Sequence, residues 1–389
     1  MSITNYLTFA GGLGLLLYGI KLMGEGLELA AGSRLKHLLE KMTKNRFLAV
    51  LVGFLITTII QSSSATTVMV VGFVNTGLMN LTQAIGVIMG ANIGTTTTSV
   101  LVSLNLTGIA PIAIFIGAFM ILFAKKNSLK YVGQALAGFG MLFMGMELMQ
   151  NAMDPLKDSE VFRNWIINAD NPLVGILIGA GVTGVIQSSA ASVGILQALA
   201  SQGLVPLSFA VYIIFGQNIG TCVTALLSTI GTKTNSKRTA VMHILFNVIG
   251  TVVFVVISMF LPFTKWIQAM SDNVMMQISL VHIIFNVVST IIMFPFAGVL
   301  VKLSCILVPD KKGKEDDGMH LQFIDERMLN TPPLAVVQVG KEVLRMAALA
   351  RRNFDIASSD LINKEIKHFD EVNHTEKIIN YLNHNITPV

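Results

Sequence analysis

The chain has 389 residues, of which 53% are hydrophobic and only 13% charged, with a formal net charge of +5. A soluble domain carries about twice that charged share, so one large soluble core is excluded. The Lys and Arg residues form short clusters between apolar stretches, the loop bias of a membrane protein and not the basic face of a nucleic-acid binder.

Residues 6–24 make the first apolar stretch, with no basic leader or small-residue cleavage site before it, and read as a retained span. Residues 25–44 carry Leu27, Leu35, Leu38, Leu39 and Met42 at helical spacing and predict an amphipathic helix lying along the interface. The apolar segments 47–60 and 65–76 are too short to cross the bilayer comfortably, since roughly 20 residues are needed. They predict a re-entrant hairpin with Gln61, Ser62, Ser63 and Ser64 at its tip. Crossings are expected at 81–103, 108–124 and 131–150. A second hairpin, 173–186 and 190–202, turns at Gln187, Ser188 and Ser189, and crossings follow at 206–229, 239–261 and 277–301. Cys222 and Cys305, one inside a span and one near a span end, offer no disulfide framework.

The chain is internally duplicated. Shifting it by 126 residues aligns positions 53–103 with 179–229 without a gap, and 19 of 51 positions are identical, against about five expected by chance in so apolar a composition. Gln61-Ser62-Ser63 meets Gln187-Ser188-Ser189, and Gly90-Ala91-Asn92-Ile93-Gly94-Thr95 meets Gly216-Gln217-Asn218-Ile219-Gly220-Thr221. Gly12, Gly14 and Gly19 meet Gly138, Gly140 and Gly145.

Loop charge then sets orientation. The segment after the first span holds Arg34, Lys36, Lys41, Lys44 and Arg46 and is expected in the cytoplasm. Its counterpart holds Asp154, Asp158, Glu160 and Asp170 and is expected outside. Lys125, Lys126, Lys233, Lys237, Arg238 and Lys302 fall inside on this scheme, the N-terminus outside and the C-terminus inside. The fold expected is all-α and membrane-embedded, with inverted-topology repeats at about 7–124 and 133–261, two re-entrant hairpins, broken helices and an extra helix at 277–301.

The two polar motifs suggest complementary chemistry. Irregular backbone at membrane depth needs protein or a cavity around it. A helix starting near Ser63 or Ser189 aims free N–H groups and its positive dipole end into the bilayer centre, where an anion fits. Asn92, Thr95, Asn218 and Thr221 offer neutral oxygens beside glycines that permit a helix break, and unwound helices coordinate sodium in this way. His243-x-x-Phe246-Asn247 recurs as His282-x-x-Phe285-Asn286, expected as a hydrogen-bonded pair joining helices.

These motifs resemble the type II sodium–phosphate cotransporter family, in its compact bacterial form, over roughly residues 7–301. The resemblance implies sodium-driven symport of inorganic phosphate across the plasma (inner) membrane, and no enzyme. It assigns Gln61, Ser62, Ser63, Ser64, Gln187, Ser188 and Ser189 to substrate, with Thr66, Asn92, Thr95, Asn218 and Thr221 as candidates for sodium, the only cofactor implied. The second repeat departs from the first, with Ala190 for Ser64 and Cys222-Val223 for Thr96-Thr97. Competing readings keep the architecture for another small anion, or make the chain a phosphate-binding membrane sensor.

Residues 302–331 read as a charged linker. In the tail, 332–389, apolar residues Val339, Val343, Met346 and Ala350, then Ile362, Ile366 and Phe369, recur at helical spacing. Two such helices resemble the start of a PhoU-like bundle. They bury their apolar faces poorly alone, so the tail is expected to be incomplete or to pack on another copy in a homodimer.

Overall fold

A computed structural model describes residues 2–31, 45–156, 171–310, 318–324, 332–364 and 366–387. All of its regular secondary structure is helical. In chain order the helices are α1 (Ile3–Ala31), α2 (Arg46–Ile60), α3 (Ser63–Asn75), α4 (Leu81–Ser103), α5 (Ala110–Phe123), α6 (Asn127–Met153), α7 (Pro172–Ile186) and α8 (Ser189–Ser201). There follow α9 (Leu207–Gly220), α10 (Cys222–Leu227), α11 (Thr234–Phe260), α12 (Phe263–Met270), α13 (Val274–Met293), α14 (Ala297–Leu307), α15 (Pro332–Asn363) and α16 (Phe369–Ile386). Among the described residues six segments are long and apolar enough to cross a membrane: α1, α4, α6 with the turn after it, α9 with α10, α11 and α13. The chain is an all-α, multi-pass membrane protein.

Glycine sets the spacing of the longest pairing, α1 against α6. A Cβ on Gly12 would lie 2.7 Å from the Gly145 carbonyl, one on Gly19 2.7 Å from that of Gly138, and one on Gly26 2.6 Å from that of Tyr131. The two helices run antiparallel with backbones touching, which is how helices associate in lipid, where no hydrophobic force draws them together. Between α4, α8 and α13 the glue is polar. Gln197 Nε2 donates to the carbonyls of Ser99 and Met275 and to Ser279 Oγ, at 3.0, 3.0 and 2.9 Å. Phe215, Phe254 and Phe285 join α9, α11 and α13, with ring centroids 5.1–5.6 Å apart.

Several expectations are corrected. The helix break at Gly90–Gly94 does not occur, for α4 is continuous from Leu81 to Ser103. A Cβ on Gly90 would lie 1.9 Å from the Val50 carbonyl, and one on Gly94 2.7 Å from Thr57 Cβ. The glycines admit α2 against α4 and do not open the helix. In the second repeat Gly216 admits Ile176 in the same way, at 2.0 Å, while an interruption does fall at Thr221, between α9 and α10. The crossing expected at 108–124 is a 14-residue helix behind a single 3-10 turn. That expected at 277–301 bends after Met293, where Pro295 cannot donate to the helix ladder. Residues 25–31 continue α1 and do not start a separate helix, and 32–44 lie outside the described residues, as do 157–170 and 311–317. Both Asn side chains of the His-x-x-Phe-Asn sequences bond within their own helices, and Asn247 also joins α11 to α10. Asn247 donates to the His243 carbonyl (3.1 Å) and to Cys222 Sγ (3.3 Å), Asn286 to the His282 carbonyl (2.9 Å).

The tail helices α15 and α16 pack through Val339, Met346 and Leu349 against Ile378, Leu382 and Ile386. Leu344, Phe354, Leu361, Ile362, Ile366 and Phe369 stay exposed. Where the linker leaves the membrane region, Arg238 Nε donates to the Val308 carbonyl (2.9 Å) and Arg238 pairs with Asp310 (3.0 Å).

Candidate functional site

Each hairpin turns within two residues, and the turn chemistry is the same in both. Helix α2 ends on Gln61 in the left-handed conformation (φ 58°, ψ 24°), its N–H bonded to the Thr57 carbonyl at 2.7 Å. Helix α7 ends on Gln187 likewise (φ 57°, ψ 22°), bonded to the Thr183 carbonyl at 2.7 Å. Left-handed backbone is uncommon outside glycine and costs on the order of 1–3 kcal/mol. Its occurrence at both duplicated glutamines makes the turn a built feature. The next residue is extended and caps the following helix. Ser62 Oγ accepts from Ala65 N (3.1 Å), and Ser188 Oγ from Ala191 N (3.3 Å).

The caps leave work for the residues after them. Ser63 and Ser64 open α3, and Ser189 and Ala190 open α8, so their N–H groups have no intrahelical acceptor. Ser63 and Ser189 are buried. The tips meet: Ser64 Oγ donates to the Gln187 carbonyl at 3.3 Å. Between them is a cavity of about 60 Å³ lined by Gln61, Ser62, Ser63, Ser64, Thr95, Gln187, Ser188, Ser189 and Ala190. One water needs about 10–15 Å³ by this kind of measure, so the chamber has room for several waters or one small anion. All seven residues expected for substrate line it. None carries a charge, and the two helix starts turn the positive ends of their dipoles toward it.

The two glutamines are held differently. Thr98 Oγ1 donates to Gln61 Oε1 (2.7 Å), while Gln61 Nε2 donates to the Thr58 carbonyl (2.5 Å) and to Thr97 Oγ1 (3.4 Å). At the duplicated positions stand Val223 and Thr224, and the buried Thr224 hydroxyl has no partner. Thr97 and Thr98 are site-supporting residues that motif reading passed over. The identity of Thr98 and Thr224 at the repeat offset was the available signal.

The five sodium candidates do not gather as one set. Thr95 lines the chamber and bonds the Ala91 carbonyl of its own helix (3.2 Å). Thr66 bonds the Ser62 carbonyl (3.0 Å) and accepts from Thr57 Oγ1 (3.0 Å). Asn218 and Thr221 bond the carbonyls of Ile214 and Gln217, both at 2.9 Å. Asn92 is buried with its Nδ2 unpartnered. Among the described residues no cluster of His, Cys, Asp or Glu could hold a metal ion.

A chamber of neutral hydroxyls and helix starts, in a chain with several membrane-crossing helices, points to a membrane transport protein. The chain belongs to the Na+/Pi-cotransporter family, whose profile matches residues 15–151 and 158–290. It is 28% identical over 300 residues to the "Uncharacterized protein YqeW" of Bacillus subtilis (strain 168), covering 76% of this chain and 95% of that one. It is 27% identical over 337 residues to the "Putative inorganic phosphate export protein YjbB" of Salmonella typhimurium, covering 85% of this chain and 61% of the relative, so it spans about three fifths of that protein. A 64-residue stretch, 16% of this chain and 10% of the relative, is 44% identical to the "Sodium-dependent phosphate transport protein 2A" of Ovis aries. No solved structure matches.

Proposed function

We propose that this protein is a sodium-coupled symporter of inorganic phosphate that holds the anion between its two Gln-Ser-Ser tips. The observation that carries this reading is the convergence of two duplicated, buried helix starts on one uncharged chamber. A tetrahedral oxyanion suits it: the N–H groups of Ser63, Ser64, Ser189 and Ala190, with the Ser63 and Ser189 hydroxyls, are donors arriving from two directions. With no lysine or arginine in the lining, the anion's charge is balanced by dipoles and by sodium ions bound near it. Thr66, Asn92, Thr95, Asn218 and Thr221 are proposed as their oxygen donors. Each ion then raises the affinity for the other, which is the thermodynamic content of coupling.

The two hairpins are proposed as re-entrant elements of inverted repeats, entering from opposite faces. Helices α2 and α7 have 15 residues each, about 22 Å of rise, which brings a tip near the midplane from either side. The N-terminus is proposed outside, and the C-terminus and tail in the cytoplasm. Direction is not a property of the site, because a symporter runs whichever way its gradients drive it. The export named for the YjbB relatives and the sodium dependence named for the sheep protein are therefore compatible with one mechanism.

Phosphate binding measured against sodium concentration tests the reading, with sulfate and a small carboxylate as competitors. Phosphate should bind tighter as sodium rises and should outcompete both. Sodium-independent binding, or a preference for carboxylate, would remove it in favour of another small-anion carrier.

A further inference from the structure

The tip chamber has an antechamber, and the charged residues described beside the site line it. A cavity of about 350 Å³ adjoins the chamber and shares Gln61, Ser62 and Ser188 with it. Its other wall is the last third of α1, where Lys21, Glu25 and Glu28 face it at one-turn intervals. Among the described residues no other charged side chain lines either cavity. Gly24 gives the wall its closeness, since a Cβ there would lie 2.7 Å from the Ile60 carbonyl at the hairpin turn. The Lys21 and Glu25 side chains are 68% and 53% exposed, with Lys21 Nζ 3.7 Å from Glu25 Oε1. The arrangement belongs to one repeat, for the same offset brings Glu147, Asn151 and Asp154 to the three positions, and the cation is lost.

We propose that Lys21 is the docking point for phosphate on the side of the membrane where α1 ends, with Glu25 as the counter-ion that phosphate displaces. This inference rests on the phosphate reading given above. Among the described residues, a phosphate arriving through this mouth meets one cation before the neutral chamber, and that cation is held by a single exposed carboxylate. An exposed pair of this kind is weak, so an incoming dianion exchanges for Glu25 at little cost. Lys21 offers the anion a point charge at the mouth and leaves recognition of shape to the tips. Because the duplicated face carries no lysine, its effect is confined to one side.

The test uses the full chain in proteoliposomes of known orientation, with the half-saturating phosphate concentration measured separately from each side under fixed sodium. Lys21→Gln should raise it about three- to tenfold on the α1-end side and leave the other side unchanged. Glu25→Gln should lower it on that side, and Lys21→Arg should keep the wild-type value. High salt should shrink all of these differences. An unchanged value in Lys21→Gln overturns the proposal, as does an equal change on both sides or a loss that Lys21→Arg shares. The wild-type protein in the same vesicles separates the two levels. If it does not carry phosphate, the functional reading fails; if it does and Lys21→Gln matches it, only the docking role fails.

Discussion

Removing the Ser63 and Ser189 hydroxyls is the perturbation the tip geometry makes most specific. Both residues are buried, both open a helix, and both line the chamber. Their neighbours Ser62 and Ser188 line it too, but spend their side chains capping α3 and α8. The Ser63 and Ser189 hydroxyls are therefore the ones whose removal leaves these caps intact. A hydrogen bond to a charged group is worth about 1.5–3 kcal/mol, and about 1.4 kcal/mol is tenfold in affinity. Ser63→Ala and Ser189→Ala should thus each weaken phosphate binding roughly ten- to a hundredfold. Their combined loss should be smaller than the product of the two, because a ligand released by one tip resettles on the other. Sodium affinity should fall in parallel. Thermal stability should hardly change in these variants, whereas Ser62→Ala should lower stability by about 1 kcal/mol through the lost cap. Isothermal titration with phosphate at several sodium concentrations, beside thermal unfolding in detergent, reads all of these quantities. A folded single variant that binds phosphate like wild type would refute the shared chamber for that tip.

Other predictions follow from packing, from the glutamine hold and from the tail. Gly90→Ala and Gly216→Ala place a Cβ 1.9 and 2.0 Å from a facing carbonyl, and each should destabilise by about 3 kcal/mol or more. Gly181→Ala, with nothing within 4 Å, should leave the unfolding temperature unchanged or slightly raised. Thr98→Ala releases the Gln61 amide and should weaken phosphate binding several-fold without unfolding the protein, which equilibrium binding would detect. In the tail, a hydrogen bond from His368 holds the Asp360 carboxyl below its ordinary range, and the bond to Asp360 holds His368 above its own. The histidine's contribution is complete below about pH 6.5 and is lost as pH rises through its raised value. The aspartate's is complete above about pH 4 and is lost as pH falls through its lowered value. Amide exchange at the α15–α16 turn should be slowest between those limits, and Asp360→Asn should flatten the dependence.

The hairpin tips were legible because the feature that makes them, a polar turn between two short apolar helices, is written twice at one offset. The helix starts near Ser63 and Ser189 were legible for the same reason, while the caps at Ser62 and Ser188 emerge only from the backbone geometry. The role of Gly90 and Gly94 was not. A glycine permits both a broken helix and a touching one, and only the position of Val50 and Thr57 decides between them. The bend after Met293 was signalled by Pro295, but an apolar run hides it from a reading by hydropathy. Residues 25–31 have the apolar spacing of an interfacial helix, yet Gly26 seats them against α6 as part of α1. That continuation turns Glu25 and Glu28 toward the hairpin, a placement no local pattern carries. Gln61 looked like a ligand amide, and the structure ties both of its polar atoms to threonines 36 and 37 positions away.

The central claim is that the chamber carries phosphate together with sodium, and labelled phosphate uptake into proteoliposomes of the purified protein measures it directly. With an inward sodium gradient, phosphate should accumulate above its external concentration and then drain as the gradient decays. Replacing sodium by potassium, or making Ser63→Ala with Ser189→Ala, should abolish the accumulation. Uptake that only equilibrates, or that proceeds equally in potassium, would contradict the coupling of the two ions at these tips.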